Sequence, residues 1–148
     1  MVFAFYNHYS LDFFVYAGWI LLVFSIVIIL LAGGQFRKKG GAPKGKSVVH
    51  TTVLVDSGVY AVIRHPQYLG FMLFVLALVL MCQHSVSVIS GVLGSALFYK
   101  DVLREEQMSV EKFGDDYKQY MERVPRMDFL TGILRLFRRR RKQSQARA

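Results

Sequence analysis

From Phe13 to Phe36, twenty-four residues pass between Asp12 and Arg37 without one formal charge. At about 1.5 Å per residue, a helix of that length crosses the roughly 30 Å hydrocarbon core of a bilayer. It is too long for the core of a signal peptide and has no basic leader before it. The run predicts a transmembrane helix.

A second charge-free run extends over 34 residues, Pro66 to Tyr99, with Gln83-His84-Ser85 at its centre. One helix would overshoot a bilayer, whereas a polar break in the middle makes two. The sequence therefore predicts helices over about 66–82 and 86–108, the second running past Lys100 into the cytosol and ending before Gly114, a natural left-handed stop. The 19 Lys and Arg against 10 Asp and Glu are segregated. None falls in the first twelve residues or near His84; they cluster in 37–65 and after Tyr99. Three spans put both basic regions on one side, which predicts the N-terminus outside and the C-terminus cytosolic. With 53% hydrophobic residues and no RNP-like or zinc-finger pattern, a nucleic-acid partner is not expected.

The predicted architecture is all-α and integral to a membrane. Residues 1–36 form an N-terminal segment and first span, and 37–65 a cytosolic basic linker and pocket segment. Residues 66–127 form a transmembrane hairpin with a cytosolic catalytic segment, and 128–148 a polybasic interfacial tail. A prokaryotic plasma membrane is the expected location. Gly91 and Gly94, with Ser87, Ser90 and Ser95, give the last span a small-residue face suited to packing within the chain or to a homodimer. Scattered histidines and a lone Cys82 predict no metal site and no internal disulfide.

Polar and aromatic residues crowd the entry of the second run: Gly58-Val59-Tyr60, then Arg64-His65-Pro66-Gln67-Tyr68-Leu69-Gly70. A helix that only anchors needs none of them. Pro66 suits a first helical turn and pushes His65 out of the helix, beside unpaired backbone N–H groups that favour acceptor atoms of a ligand. The apolar stretch Val48–Val55 is expected to lie extended, against the membrane or lining a pocket. Glu105 and Glu106 are adjacent on a helix and so face different ways; ionisable groups facing a bundle interior are usually functional. Asp115 or Asp116 is expected to cap a short helix containing Tyr117 and Tyr120 and ended by Pro125. Phe129 to Phe137, followed by Arg138 to Lys142, predicts an amphipathic helix resting on anionic lipid.

The ordered series Val55-Asp56-Ser57-Gly58-Val59-Tyr60, Arg64-His65-Pro66-Gln67-Tyr68-Leu69-Gly70, Glu105-Glu106 and Phe113-Gly114-Asp115-Asp116-Tyr117 resembles the isoprenylcysteine carboxyl methyltransferase family. That family is similar in turn to phospholipid N-methyltransferases and to the C-terminal part of sterol reductases. The resemblance covers residues 48–127. It implies an integral membrane methyltransferase using S-adenosyl-L-methionine, with membrane lipid around it and a lipidic or prenylated small acceptor. By position it assigns Thr52, Val53, Leu54, Val55, Tyr60, His65, Pro66, Gln67 and Tyr68 to the cofactor, and Glu105 to its amino group. Glu105, Glu106, Arg104 and Arg126 become the candidates for catalysis, and Arg123 and Arg126 for the substrate.

One position departs from the family pattern. An arginine is expected one turn before Glu105 to meet a substrate carboxylate, and Asp101 stands there. Lys100, Arg104, Arg123 and Arg126 are the cations available to replace it. An amine acceptor would instead need a base, for which Glu106 or Glu105 is available. The alternatives are a nicotinamide-dependent membrane reductase relative and a non-catalytic membrane scaffold.

Overall fold

The computed structural model describes residues 11–39 and 53–145, without the side chains of 139, 140 and 142–144. Five α-helices account for most of them: α1 (Asp12–Lys39), α2 (Pro66–Cys82), α3 (Ser85–Phe113), α4 (Asp115–Arg123) and α5 (Phe129–Gln145). A short 3₁₀ turn, Gly58–Ala61, precedes α2, and there is no strand among the described residues.

The helix boundaries follow from local chemistry. Asp12 lies in the first turn of α1 and Arg37, Lys38 and Lys39 in its last, each charge complementing the helix dipole. Pro66 opens α2, where its missing N–H costs nothing. Gln83 breaks the chain between α2 and α3 by adopting a left-handed backbone, φ 45°. Gly114 ends α3 at φ 56°, so this helix reaches Phe113 rather than stopping near 108. Gly114 is itself the residue that caps α4, without a side-chain cap. Asp115 and Asp116 act instead through their charge in the first turn. Val124 is extended, as the residue before Pro125 must be. Asp128 starts α5 by accepting the Thr131 backbone N–H at 3.2 Å, which holds its carboxyl below the usual aspartate range.

The chain divides into two compact units, Met1–Leu30 with Gln67–Glu105, and Leu31–Pro66 with Glu106–Ala148. In the first unit, glycines bring helices together. A Cβ on Gly70 would stand 2.6 Å from Ile29 and 3.3 Å from the Ser25 carbonyl, and one on Gly18 would stand 2.6 Å from Met81. The close approach at Gly70 is thus filled by α1. Gly91 likewise meets the side chain of Val79, whereas nothing lies within 4 Å of a Cβ on Gly94. Gln83 is buried and ties down Leu11, just before α1. It donates to the Leu11 carbonyl at 2.8 Å and accepts the Leu11 N–H at 3.0 Å.

Helices α1 and α3 are long and apolar enough to cross a membrane; α2 is apolar throughout but has 17 residues. Phe13, Tyr16, Ile20, Val23 and Leu30 on α1, and Val92, Leu93 and Leu97 on α3, are all more than half exposed. So much apolar surface left uncovered is tolerated in lipid and not in water. This is an integral membrane protein.

Candidate functional site

The second unit packs its segments together from the end of α1 onward. Gly58 takes a positive φ of 66° and lies against the Gln35 side chain, whose Oε1 accepts the Val59 N–H at 3.0 Å. Lys39 reaches Ser57 at 2.8 Å. The turn is therefore fixed to the last helical turns of α1, and Val55 and Tyr60 are buried with Ala32, the Tyr60 ring 5.8 Å from Phe36. From the other side, Tyr120 donates its hydroxyl to the Tyr60 carbonyl at 2.7 Å. Tyr117, Tyr120 and Val124 form a second buried cluster, joined by Leu54, Val110, Phe113 and Met121. Burial pushes the Tyr120 phenol far above its ordinary value near 10.

Two backbone bonds then set the next residues. The Arg64 N–H donates to the Pro125 carbonyl at 3.0 Å and the His65 N–H to the Arg126 carbonyl at 3.2 Å. Pairing these segments brings Arg64, His65 and Arg126 around one buried carboxylate, Glu106. Arg126 grips it with Nε at 3.0 and 3.1 Å and Nη2 at 2.7 Å. His65 Nε2 lies 3.3 Å from Oε1, and Arg64 Nη1 is 3.0 Å from the same oxygen.

The Arg64 contact is an ion pair without hydrogen-bond alignment. Its Nε and Nη1 are buried and find no hydrogen-bond acceptor among the described residues. Two guanidinium groups share one carboxylate, so the cluster has positive charge to spare. A carboxylate this well supplied with donors is a poor base, and a buried guanidinium lacking acceptors is a fit for an anionic or acceptor-bearing ligand.

In the first unit, Tyr68 on α2 and Glu105 on α3 come within hydrogen-bonding reach of each other. The Tyr68 ring meets Phe98 edge-on, centroids 6.4 Å apart, which fixes its orientation. Gln67 is half-buried nearby in sequence, and Pro66 is buried.

The predicted site residues divide accordingly. His65, Glu106 and Arg126 meet, as do Tyr68 and Glu105. Leu54, Val55 and Tyr60 line the buried clusters, while Val53 is exposed. Arg104 and Arg123 are exposed, the latter donating to the Gln119 carbonyl of its own helix. Thr52 lies outside the described residues. Arg64 was the functional candidate that reasoning on the sequence left out. Its signal was available: a cation directly before the His-Pro that opens an apolar helix. Among the described residues, no group of three His, Cys, Asp or Glu could hold a metal ion.

A sequence model of the isoprenylcysteine carboxyl methyltransferase family matches residues 23–112. The match takes in the Arg64–Gly70 motif and the Glu105-Glu106 pair; it begins earlier than 48 and stops before Phe113. The protein-S-isoprenylcysteine O-methyltransferase of Homo sapiens is 37% identical over 90 residues, covering 60% of this chain and 31% of its own length. That of Schizosaccharomyces pombe is 31% identical over 110 residues, 68% of this chain and 47% of its own. A delta(14)-sterol reductase of Mus musculus is 32% identical over 97 residues, 61% of this chain and 23% of its own. The chain thus spans less than half the length of these relatives. No solved structure matches it significantly. With more than half of its residues matched by the family model, the motif at the mouth of α2 included, the chain belongs to the isoprenylcysteine carboxyl methyltransferase family.

Proposed function

We propose that this protein is a membrane methyltransferase that uses S-adenosyl-L-methionine to esterify the carboxylate of a prenylated or otherwise lipidic acceptor. The observation that carries the reading is the buried Arg64, paired with Glu106 yet with Nε and Nη1 lacking acceptors. Family membership supplies the reaction class, and the names of the relatives supply the prenylcysteine acceptor.

When bound, S-adenosyl-L-methionine supplies an electrophilic methyl group on a sulfonium. The chain's work is then to bind, align and keep water out. Arg64 and His65 offer donors to acceptor atoms of the cofactor and Tyr60 an aromatic ring, and Tyr68 keeps the cofactor role that the family resemblance gives it. Glu105 keeps the role that the family resemblance gives it, a carboxylate for the cofactor's amino group. Glu106 holds Arg64, His65 and Arg126 in place and takes no proton. Arg126, only partly covered, is the cation assigned to the substrate carboxylate in place of the arginine missing at Asp101. Exposed Arg104 and Arg123 have no part in this assignment.

The same charge balance favours a carboxylate over an amine acceptor. A carboxylate is already nucleophilic at neutral pH and is attracted to a surplus of guanidinium. An amine would need a base, and Glu106 is surrounded by cationic and hydrogen-bonding partners. All three apolar helices are assigned as spans, α2 as a short one, with the basic segments cytosolic.

The test is transfer of a labelled methyl group from S-adenosyl-L-methionine to a farnesylated cysteine derivative in proteoliposomes. Label released as methanol by mild base identifies an ester and supports the proposal. Base-stable label on an amine lipid would refute the carboxylate assignment. A second reading, a nicotinamide-dependent reductase, draws on the sterol reductase match and is tested by titration with the reduced dinucleotide.

A further inference from the structure

From Phe129 to the end of the sequence there are seven basic residues and no acidic one. Helix α5 arranges this segment into three strips. One strip is turned to the protein: Gly132 is buried, and a Cβ there would collide with the Val62 carbonyl. A second, at i, i+4, i+7 spacing, is apolar and open, with Leu130 75%, Leu134 58% and Phe137 60% exposed. The third is basic, with Arg135 and Arg138 exposed one turn apart and Arg141 one turn further on. Arg135 also donates to the Glu122 carbonyl at 3.3 Å, and its charge helps to draw the Asp128 carboxyl down.

A helix in water has no use for an open apolar row, and a helix inside lipid has no place for so many charges. An apolar row flanked by cations, in a helix with no acidic residue of its own, complements the surface of an anionic bilayer: acyl chains for the row, phosphates for the flank. The seat of this helix matters as much as its face. Val62, against which Gly132 lies, is followed directly by Ile63 and then by Arg64 and His65. The backbone N–H groups of Arg64 and His65 are bonded to Pro125 and Arg126, close before the start of α5. Anything that fixes α5 therefore fixes this segment.

We propose that α5 docks on an anionic phospholipid surface through Leu130, Leu134, Phe137 and its arginines, and that its seat on Val62 makes the Arg64–His65 segment rigid when it does so. The inference stands on charge and packing and does not depend on the methyl-transfer reading.

Hydrogen exchange of the intact protein tests it, in nanodiscs of phosphatidylcholine alone or with about a third phosphatidylglycerol. The amides of 129–138 and of Arg64 and His65 are expected to exchange at least about fivefold more slowly in the anionic discs. The difference should shrink at about 0.5 M salt, where screening shortens to a few ångströms. It should also vanish in the triple variant Arg135→Gln, Arg138→Gln, Arg141→Gln. Equal rates in the two discs overturn the docking. Slowing at 129–138 with none at Arg64 and His65 overturns the coupling. Protection produced by added RNA or an acidic peptide, and not by phosphatidylglycerol, gives the surface to another class of partner and overturns the lipid assignment.

Discussion

Arg126 clasps the Glu106 carboxylate through both Nε and Nη2, at 2.7–3.1 Å, while standing in the loop that also accepts the His65 backbone N–H. One residue thus contributes a cation to the cluster and a carbonyl to the segment that carries it. Glu106 in turn is one carboxylate shared by two guanidinium groups. Removing it leaves Arg64 buried without its partner, beside a partly covered Arg126. Breaking a buried pair from one side costs about 3–5 kcal/mol. Glu106→Ala should therefore lower the unfolding temperature markedly, and Arg126→Lys, which keeps charge but loses the two-pronged grip, should lower it less. Thermal unfolding in detergent checks the order; a Glu106→Ala protein as stable as wild type would contradict the role given to this carboxylate.

Tyr120 is expected to matter through its hydroxyl. Its bond to the Tyr60 carbonyl is buried, so Tyr120→Phe leaves that carbonyl without this donor and costs about 1–3 kcal/mol. Alkaline pH reveals the same group. Its folded pKa is raised above the ordinary value near 10, so its proton is retained in the fold and released on unfolding. The associated stability is complete below pH 10 and drains away above it. Wild-type stability should fall more steeply above pH 10 than that of Tyr120→Phe. Parallel curves would mean that the phenol is not held as described.

Two glycines make a matched pair. Gly70→Val drives a side chain into Ile29 and the Ser25 carbonyl, an overpacking worth about 1–3 kcal/mol. Gly94→Val meets nothing within 4 Å and is expected to unfold like wild type. If instead Gly94→Val changes the oligomeric state on size-exclusion with light scattering, that face is an interface between copies.

How much of this could be read from the chain depends on how local the physics is. The first long apolar helix was legible because a charge-free run admits few other fates, and the end of α3 because Gly114 is a left-handed stop. The break at Gln83 was legible as a polar interruption. Its partner Leu11 was not, because a glutamine satisfies whichever backbone group is left unpaired, more than seventy positions away. The sequence placed Glu105 and Glu106 on different faces but could not say which one was buried among arginines. That was decided by Arg126, a loop residue whose position follows from the pairing of 64–65 with 125–126. Arg64 is the clearest omission: its chemistry was visible, while its burial depended on contacts made across forty residues.

The exposed cations separate the assignments further. Arg104→Ala and Arg123→Ala leave both buried clusters intact and are expected to bind cofactor as wild type does. Methyl transfer by Arg126→Gln should show a raised KM for the prenylated acid. An Arg123→Ala enzyme with that defect, beside a normal Arg126→Gln enzyme, would reverse the substrate assignment.

The proposal stands most directly on the binding of a methyl donor, in which Arg64 is given a part. Calorimetric titration of the detergent-purified protein with S-adenosylhomocysteine addresses it directly. Binding is expected with Kd about micromolar, weakened tenfold or more by Arg64→Gln and by Glu105→Ala, a loss of about 1.4 kcal/mol or more. Arg123→Ala should leave the titration unchanged. A folded, membrane-inserted protein that does not bind, or one whose affinity survives both substitutions, would contradict it.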